Sequence, residues 1–240
     1  MKQERVWHIV QLGTLPYGSA LDLQHRMVEA RYREVLETDT VLLLEHEPVF
    51  TLGRRGGKEN LKVPSRFLDL RGIQVVRTER GGDITYHGPG QIVAYPIIHV
   101  KSARLGVAEY VEGLEEVMIR TAGDWGVSAR RSSVNHGVWA GSRKLGSVGI
   151  AIRRGIAFHG IALNVNLSLE PFSWINPCGL VGFSMTSLEK EGARNLDMDL
   201  VGDSVIRHME TVFGIRAVLV DAGTFERQFL RREGRLSAQK

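Results

Sequence analysis

The chain holds one cysteine, Cys178, in the run Asn176-Pro177-Cys178-Gly179-Leu180. A thiol with an ordinary pKa near about 8.5 is only a few per cent thiolate at neutral pH, so a nucleophilic cysteine needs a cation or base beside it. A lone cysteine is also a small buried hydrophobe in many proteins. Packing cysteines usually sit in apolar runs, however, whereas here a proline restricts the chain before the sulfur and a glycine leaves room after it. One cysteine excludes an internal disulfide and a multi-cysteine metal site, and it agrees with a reducing compartment. The candidate partner is Lys144, which follows Arg143 in what reads as a hairpin turn. In a chain with 24 arginines and 7 lysines, lysine marks a place where a titratable amine is needed. A solvated turn lysine is the alternative reading of the same position.

The densest glycine cluster is Arg80-Gly81-Gly82-Asp83-Ile84-Thr85-Tyr86-His87-Gly88-Pro89-Gly90-Gln91, lying between two predicted strands. Glycine permits positive φ and lets the backbone approach a ligand closely. A plain turn needs neither Arg80 nor Tyr86 nor His87. A second segment, Gly53-Arg54-Arg55-Gly56-Gly57-Lys58, has the look of a phosphate loop. Its spacing is one residue short, and Glu59 stands where Ser or Thr is required, so it is not a Walker A motif. The histidines at 8, 25, 46, 87, 99, 136, 159 and 208 show no HExxH or other metal spacing, which argues against zinc and favours packed or surface roles for each. No Gly-x-Ser-x-Gly elbow is present, which argues against a serine hydrolase of the α/β type.

These residues need a scaffold, and the patterning supplies one. Val6 to Leu12 reads as a strand, and Tyr17 to Leu36 carries Leu21, Val28, Tyr32 and Val35 at helical spacing. Val41 to Glu45 and Val49 to Leu52 read as strands meeting at a turn around His46-Glu47-Pro48. Pro64 starts a short helix ended by Gly72, followed by a strand at Ile73 to Arg77 and another at Gln91 to His99. An amphipathic helix runs from Val107 to Trp125. Val138 to Ala140, Leu145 to Ile152 and Ile156 to Leu167 form a meander with tight turns. Asp199 or Asp203 caps a last helix that ends at Gly214, before a strand at Ile215 to Val220. The expected fold is therefore α/β (α+β), with a mixed or antiparallel sheet and flanking helices in one domain over residues 1–222, and a polar tail over 223–240.

At 240 residues, 43% hydrophobic and 24% charged, the chain can bury a large core as one domain. No apolar run is long enough to span a membrane, and the N-terminus lacks a signal-peptide pattern, so a cytoplasmic protein is expected. The net charge of +4 would suit an acidic partner, either nucleic acid or an acidic protein.

Four segments in order and spacing resemble the octanoyl-acyl carrier protein:protein N-octanoyltransferases: Arg80 to Gln91, Lys144-Leu-Gly-Ser-Val-Gly149, His159-Gly-Ile-Ala-Leu-Asn-Val-Asn166, and Asn176-Pro-Cys-Gly-Leu180. The resemblance implies the fold of the lipoate-protein and biotin-protein ligases. It also implies transfer of octanoyl from octanoyl-acyl carrier protein to a lysine of lipoyl domains, those of 2-oxoacid dehydrogenase E2 subunits and of the glycine cleavage H protein. It carries over Cys178 as the acyl-thioester nucleophile and Lys144 as the group that lowers its pKa. Substrate contacts map to Arg80, Gly81, Gly82, Asp83, Ile84, Thr85, Tyr86 and His87, to Ser147, Val148 and Gly149, and to Gly160, Ile161 and Ala162. No ATP, metal, nucleic acid or membrane is expected.

The same chemistry follows from energetics. Thioester exchange is roughly isoenergetic and thioester to amide is downhill, so neither half-reaction needs ATP. Burying about seven carbons at roughly 0.8 kcal/mol each gives at most about 5–6 kcal/mol. One methylene then discriminates only about fourfold, so sharp length selection requires a closed pocket end. Two alternatives compete: an ATP-dependent lipoate or biotin ligase on the same fold, which has no need of Cys178, and a non-catalytic module binding a carrier protein or nucleic acid, which lacks any recognisable nucleic-acid motif.

Overall fold

Strands buried on both faces read as unbroken apolar runs rather than as alternating ones, and the runs at 41–45, 91–99 and 156–164 lie at the centre of a large sheet. The computed structural model describes residues 5–103, 105–133, 135–176 and 184–237. Its strands are β1 (Val6–Leu15), β2 (Asp39–His46), β3 (Val49–Leu52), β4 (Gln74–Arg77), β5 (Ile84–His87), β6 (Gln91–His99), β7 (Arg130–Arg131), β8 (Gly137–Ala140), β9 (Arg143–Arg153), β10 (Ile156–Asn164) and β11 (Arg216–Leu219). The helices are α1 (Tyr17–Tyr32), α2 (Ser65–Asp69), α3 (Val107–Asp124), α4 (Met198–Phe213) and α5 (Ala222–Ser237). None of the described helices is long and apolar enough to cross a membrane.

Eight strands form one mixed sheet in the order β11-β1-β2-β6-β10-β9-β8-β7, and a three-stranded sheet has the order β4-β3-β5. The edge β11-β1-β2 is parallel, and the pairs from β2 through β7 are antiparallel. Alternate residues of the central strands feed two cores. Ile9, Leu43, Ala94 and Ile161 face α3 and α4, while Val10, Leu42, Val93 and Ala162 face α1 and α5. The expected α/β architecture with a mixed sheet is thus present.

Three details differ from the expectations. β2 and β3 meet at Glu47 and Pro48 as expected, but these two residues carry the chain from the large sheet into the small one. The N-cap of α4 is Asp197, whose Oδ1 accepts from the backbone N–H groups of Asp199 and Leu200; Asp199 instead occupies the first turn, where a carboxylate complements the helix dipole. The polar C-terminal segment forms the helix α5, and, unlike a solvated tail, it buries Phe225 and Phe229 in the same core as α1. The i, i+4 spacing of these two rings gives a short apolar stripe in an otherwise polar run.

Candidate active site

The large and small sheets meet through the glycine-rich segment. Gly81 donates its N–H to the carbonyl of Ile150 on β9 (2.9 Å), while Arg54 donates to the carbonyl of Arg80 (3.0 Å) and Arg55 to that of Gly82 (3.1 Å). The 53–58 loop that mimics a phosphate loop is therefore a backbone partner of the 80–83 turn. A Cβ at Gly53 would lie 2.5 Å from the Gly82 carbonyl oxygen, so glycine is required for this approach. On the other side of the turn, Gly149 and Gly160 face each other across β9 and β10. A Cβ on Gly149 would press on the Gly81 carbonyl oxygen at 3.1 Å, and one on Gly160 would collide with the Ala94 carbonyl oxygen.

Between these elements lies a cavity of about 640 Å³, within the range typical of small-molecule sites. Its walls include Arg80, Gly81, Gly82, Asp83, Ile84, Thr85 and His87, then Lys144, then Ser147, Val148 and Gly149, then Gly160, Ile161 and Ala162. The three predicted substrate segments and Lys144 thus share one cleft. Tyr86 is not on its wall; its ring packs against Phe50 and Phe172 in the small-sheet core, facing away from Thr85 and His87. Cys178 lies outside the described residues. Arg54, Arg55, Tyr95, Val111, Asn135, His136, Ile150 and His159 complete the lining, and sequence reasoning assigned none of these to the site.

Lys144 is not a turn residue. It is the second residue of β9, paired with Trp139, and it is 2% exposed. The pairing steps from Val138↔Gly146 to Trp139↔Lys144, so Leu145 is the extra residue of a β-bulge, a feature that re-aims neighbouring side chains. Nζ donates to Asn135 Oδ1 and to the His136 carbonyl, both at 3.0 Å, and lies 5.8 Å from the centroid of the Trp139 ring. The Lys144 backbone is fixed too, its N–H donating to the Ser184 carbonyl (2.9 Å) and its carbonyl accepting from Thr186 (2.9 Å). Buried Glu115 secures the same corner, accepting from the Gly137 N–H at 2.8 Å. Gly137 has φ 128°, and a Cβ there would strike the Gly146 carbonyl oxygen and stand 2.9 Å from Lys144 Cε.

Arg80, His87 and Tyr95 on the cavity lining are backed by a buried polar network. Arg80 donates to Thr51 Oγ1 (2.8 Å) and to the Thr51 carbonyl (2.6 Å). His87 bonds Gln91 Oε1 through Nδ1 (2.7 Å) and Thr51 Oγ1 through Nε2 (3.3 Å), and Gln91 Nε2 donates on to Asn164 (2.9 Å). His46 Nδ1 lies 3.0 Å from the Leu15 carbonyl and Nε2 2.8 Å from the Tyr95 hydroxyl. A carbonyl only accepts, so His46 carries its proton on Nδ1, and the tyrosine donates to Nε2. Burial pulls His46 down to about 4 against the raising effect of the Leu15 carbonyl. His87 is pushed well below the ordinary histidine range by burial, reinforced by His46 and Arg80. Tyr95 is pushed well above the ordinary phenol range, first by burial and then by Tyr17. At neutral pH these groups are uncharged. His159 at the same wall has φ 56°, a left-handed conformation rare for a residue other than glycine and frequent at functional sites. Among the described residues, no group of His, Cys, Asp and Glu is arranged to hold a metal ion.

The lipoyl protein ligase A/B catalytic domain matches this chain over residues 16–210. An octanoyltransferase of Desulfotalea psychrophila is 48% identical over 208 residues, covering 86% of this chain and 93% of the relative. Another, of Syntrophobacter fumaroxidans, is 45% identical over 205 residues, covering 85% and 90%. In fold, the chain superposes on a lipoate-protein ligase A bound with ATP with a TM-score of 0.74 at 16% identity, over 95% of this chain and 93% of the other. With its scaffold shared with a ligase and its sequence shared with the transferases, the chain belongs to the lipoyl protein ligase A/B catalytic family and, within it, to the octanoyltransferases, which are acyltransferases.

Proposed function

We propose that the chain moves an octanoyl group from octanoyl-acyl carrier protein to a lysine of a lipoyl domain, by way of a thioester on Cys178. The observation that carries this reading is the cleft in which Lys144 shares one wall system with Arg80–His87, Ser147–Gly149 and Gly160–Ala162. In the first half-reaction the Cys178 sulfur adds to the donor's thioester carbonyl, and the carbon–sulfur bond to the carrier breaks with release of its thiol. In the second, the acceptor lysine amine adds to the same carbonyl carbon, the bond to Cys178 breaks, and an amide forms. Lys144 takes the Cys178 thiol proton and gives it to the departing carrier thiolate in the first half, then takes a proton of the acceptor amine and returns it to the Cys178 thiolate in the second, acting as general base and then as general acid. Its two carbonyl-type acceptors orient Nζ and support this role. No ATP and no metal enter the balance.

The donor arm reaches a site set inside the protein, and the acyl tail lies along the glycine-lined wall, where backbone approaches closely. The test is intact-mass measurement after incubation with octanoyl-carrier protein without ATP. An octanoyl adduct on the wild-type chain, lost in Cys178→Ala and discharged by a lipoyl domain, is the expected result. Transfer by the Cys178→Ala protein, or transfer that requires ATP, would overturn the thioester route, the latter in favour of a ligase.

A further inference from the structure

Three arginines line the cleft. Arg80 is buried and spends its donors on Thr51 and Gly81. Arg54 and Arg55 are exposed, and neither guanidinium has an ion-pair or hydrogen-bond partner among the described residues. Asp83, the carboxylate on the same wall, is turned instead to Asn60 Nδ2 (2.9 Å) and to the N–H of Ile84 (2.6 Å). The backbone of the two arginines is fixed by its bonds to the Arg80 and Gly82 carbonyls. Adjacent like charges repel, and an anion supplied from outside the chain relieves that repulsion.

Position decides which anion. The 80–82 turn that holds this loop is bonded to the Ile150 carbonyl, and Lys144 lies six residues earlier on the same strand, β9. At about 3.3 Å per residue, with one residue taken up by the bulge, that is roughly 17–20 Å of strand. An acceptor lysine reaches only about 6 Å from its own backbone, so a lipoyl domain must seat its surface against the Lys144 corner. The acyl group of a carrier protein rides instead on an arm of about thirteen bonds from phosphorus to sulfur, roughly 15 Å when extended. The surface of the carrier then stays that far from Lys144, at the remove of Arg54 and Arg55. We infer that Arg54 and Arg55 are the docking contact for the donor, pairing with carboxylates that an acidic carrier protein presents around the root of its arm. Rim pairs of this kind speed encounter and weaken with salt, and leave the chemical step alone. This assignment rests on the acyl-transfer reading above.

The experiment follows single-turnover acylation of wild type and of the double variant Arg54→Gln/Arg55→Gln against donor and salt concentration, with octanoyl-carrier protein, octanoyl-phosphopantetheine and octanoyl-pantetheine as donors. With the carrier protein at low salt, the half-saturating concentration should rise by about tenfold in the variant while the saturating rate stays within about twofold. The gap should close above about 0.5 M salt. With both small donors the variant should match wild type, and Arg54→Lys/Arg55→Lys, which keeps both charges, should recover most of the loss. Should the double variant fail to fold, Arg54→Gln and Arg55→Gln are read singly, each at about threefold. An equal loss with octanoyl-phosphopantetheine would make the pair a phosphate site, and one with octanoyl-pantetheine would place it in the chemistry. A loss confined to discharge by a lipoyl domain would make it the acceptor's contact. Each of these overturns the proposal, as does a glutamine variant that behaves as wild type with the carrier protein, a result that leaves the transferase reading intact. Failure of wild type to take any octanoyl group from the carrier protein overturns both.

Discussion

Replacing Gly137 by alanine tests how the Lys144 corner is built. Gly137 has φ 128°, and holding a side-chain-bearing residue in such a region costs on the order of 1–3 kcal/mol. The added methyl also meets the Gly146 carbonyl oxygen, which is backbone in the neighbouring strand, and comes within 2.9 Å of Lys144 Cε and 3.3 Å of Nζ. The carbonyl cannot rotate away without breaking the β8–β9 pairing at Val138↔Gly146, so the lysine stem is displaced as well. Stability should fall by about 2–4 kcal/mol, which for a chain of this size lowers Tm by roughly 4–16 °C. A displacement of Nζ by about 1 Å should slow transfer by about 10², beyond the loss explained by unfolding. The assay pairs thermal melts with single-turnover transfer measured at a temperature where the variant is fully folded. An alanine variant with the wild-type melt and wild-type transfer would refute the idea that this glycine sets the position of Lys144.

Acid should destabilise the protein through the buried histidines. His46 falls to about 4 in the folded chain from the usual 6.5, so its contribution is complete above about pH 6.5 and is lost as pH falls toward 4, by roughly 3 kcal/mol; urea unfolding at pH 7.5 and pH 4.5 measures this, and stability that stays level would contradict it. Phe229→Ala should cost about 3 kcal/mol and lower Tm by roughly 6–12 °C, since the ring is 3% exposed against the α1 side of the sheet; an unchanged melt would show that α5 does not contribute to the core. Lys144→Arg keeps the charge but cannot accept a proton, so transfer measured on folded protein should fall by at least about 10², alongside an overpacking cost of about 1–3 kcal/mol in the melt; a wild-type transfer rate would rule out Lys144 as a base.

The large sheet was legible because its strands are β-branched apolar runs bounded by glycine and proline, and their ends agree with the structure to within a few residues. Its parallel edge was not, since β11 pairs with β1 across most of the chain length and no local signal specifies that. β5 escaped notice because Ile84 to His87 is too short to show a period inside a glycine-rich segment. In the site, the glycine segments and Lys144 were found through their motif order. The polar floor was missed because Tyr95 and His159 each look like ordinary packed residues when taken singly. One clue was available: Tyr95 stands in the otherwise apolar run Gln91 to Ile98, and a buried phenol needs a partner. Lys144 was placed in a turn because the bulge at Leu145 hides the strand pairing in the sequence.

How such a polar floor can receive a hydrocarbon tail follows from where its hydrogen bonds go. Both ring nitrogens of His46 are engaged by Leu15 and Tyr95, and both of His87 by Gln91 and Thr51. Arg80 spends donors on Thr51 and Gly81. The His87 and Arg80 groups engaged in this way do not need water at those atoms, so an alkyl chain can lie against them without stripping these hydrogen bonds. The same network resists displacement. Burying one more methylene gains only about 0.8 kcal/mol, whereas pushing His87 off Gln91 leaves buried groups unpaired at about 1–3 kcal/mol. This network is therefore stiffer than a merely greasy wall, and under the proposed reading any chain-length selection at it would rest on hydrogen bonds that the acyl tail itself never makes.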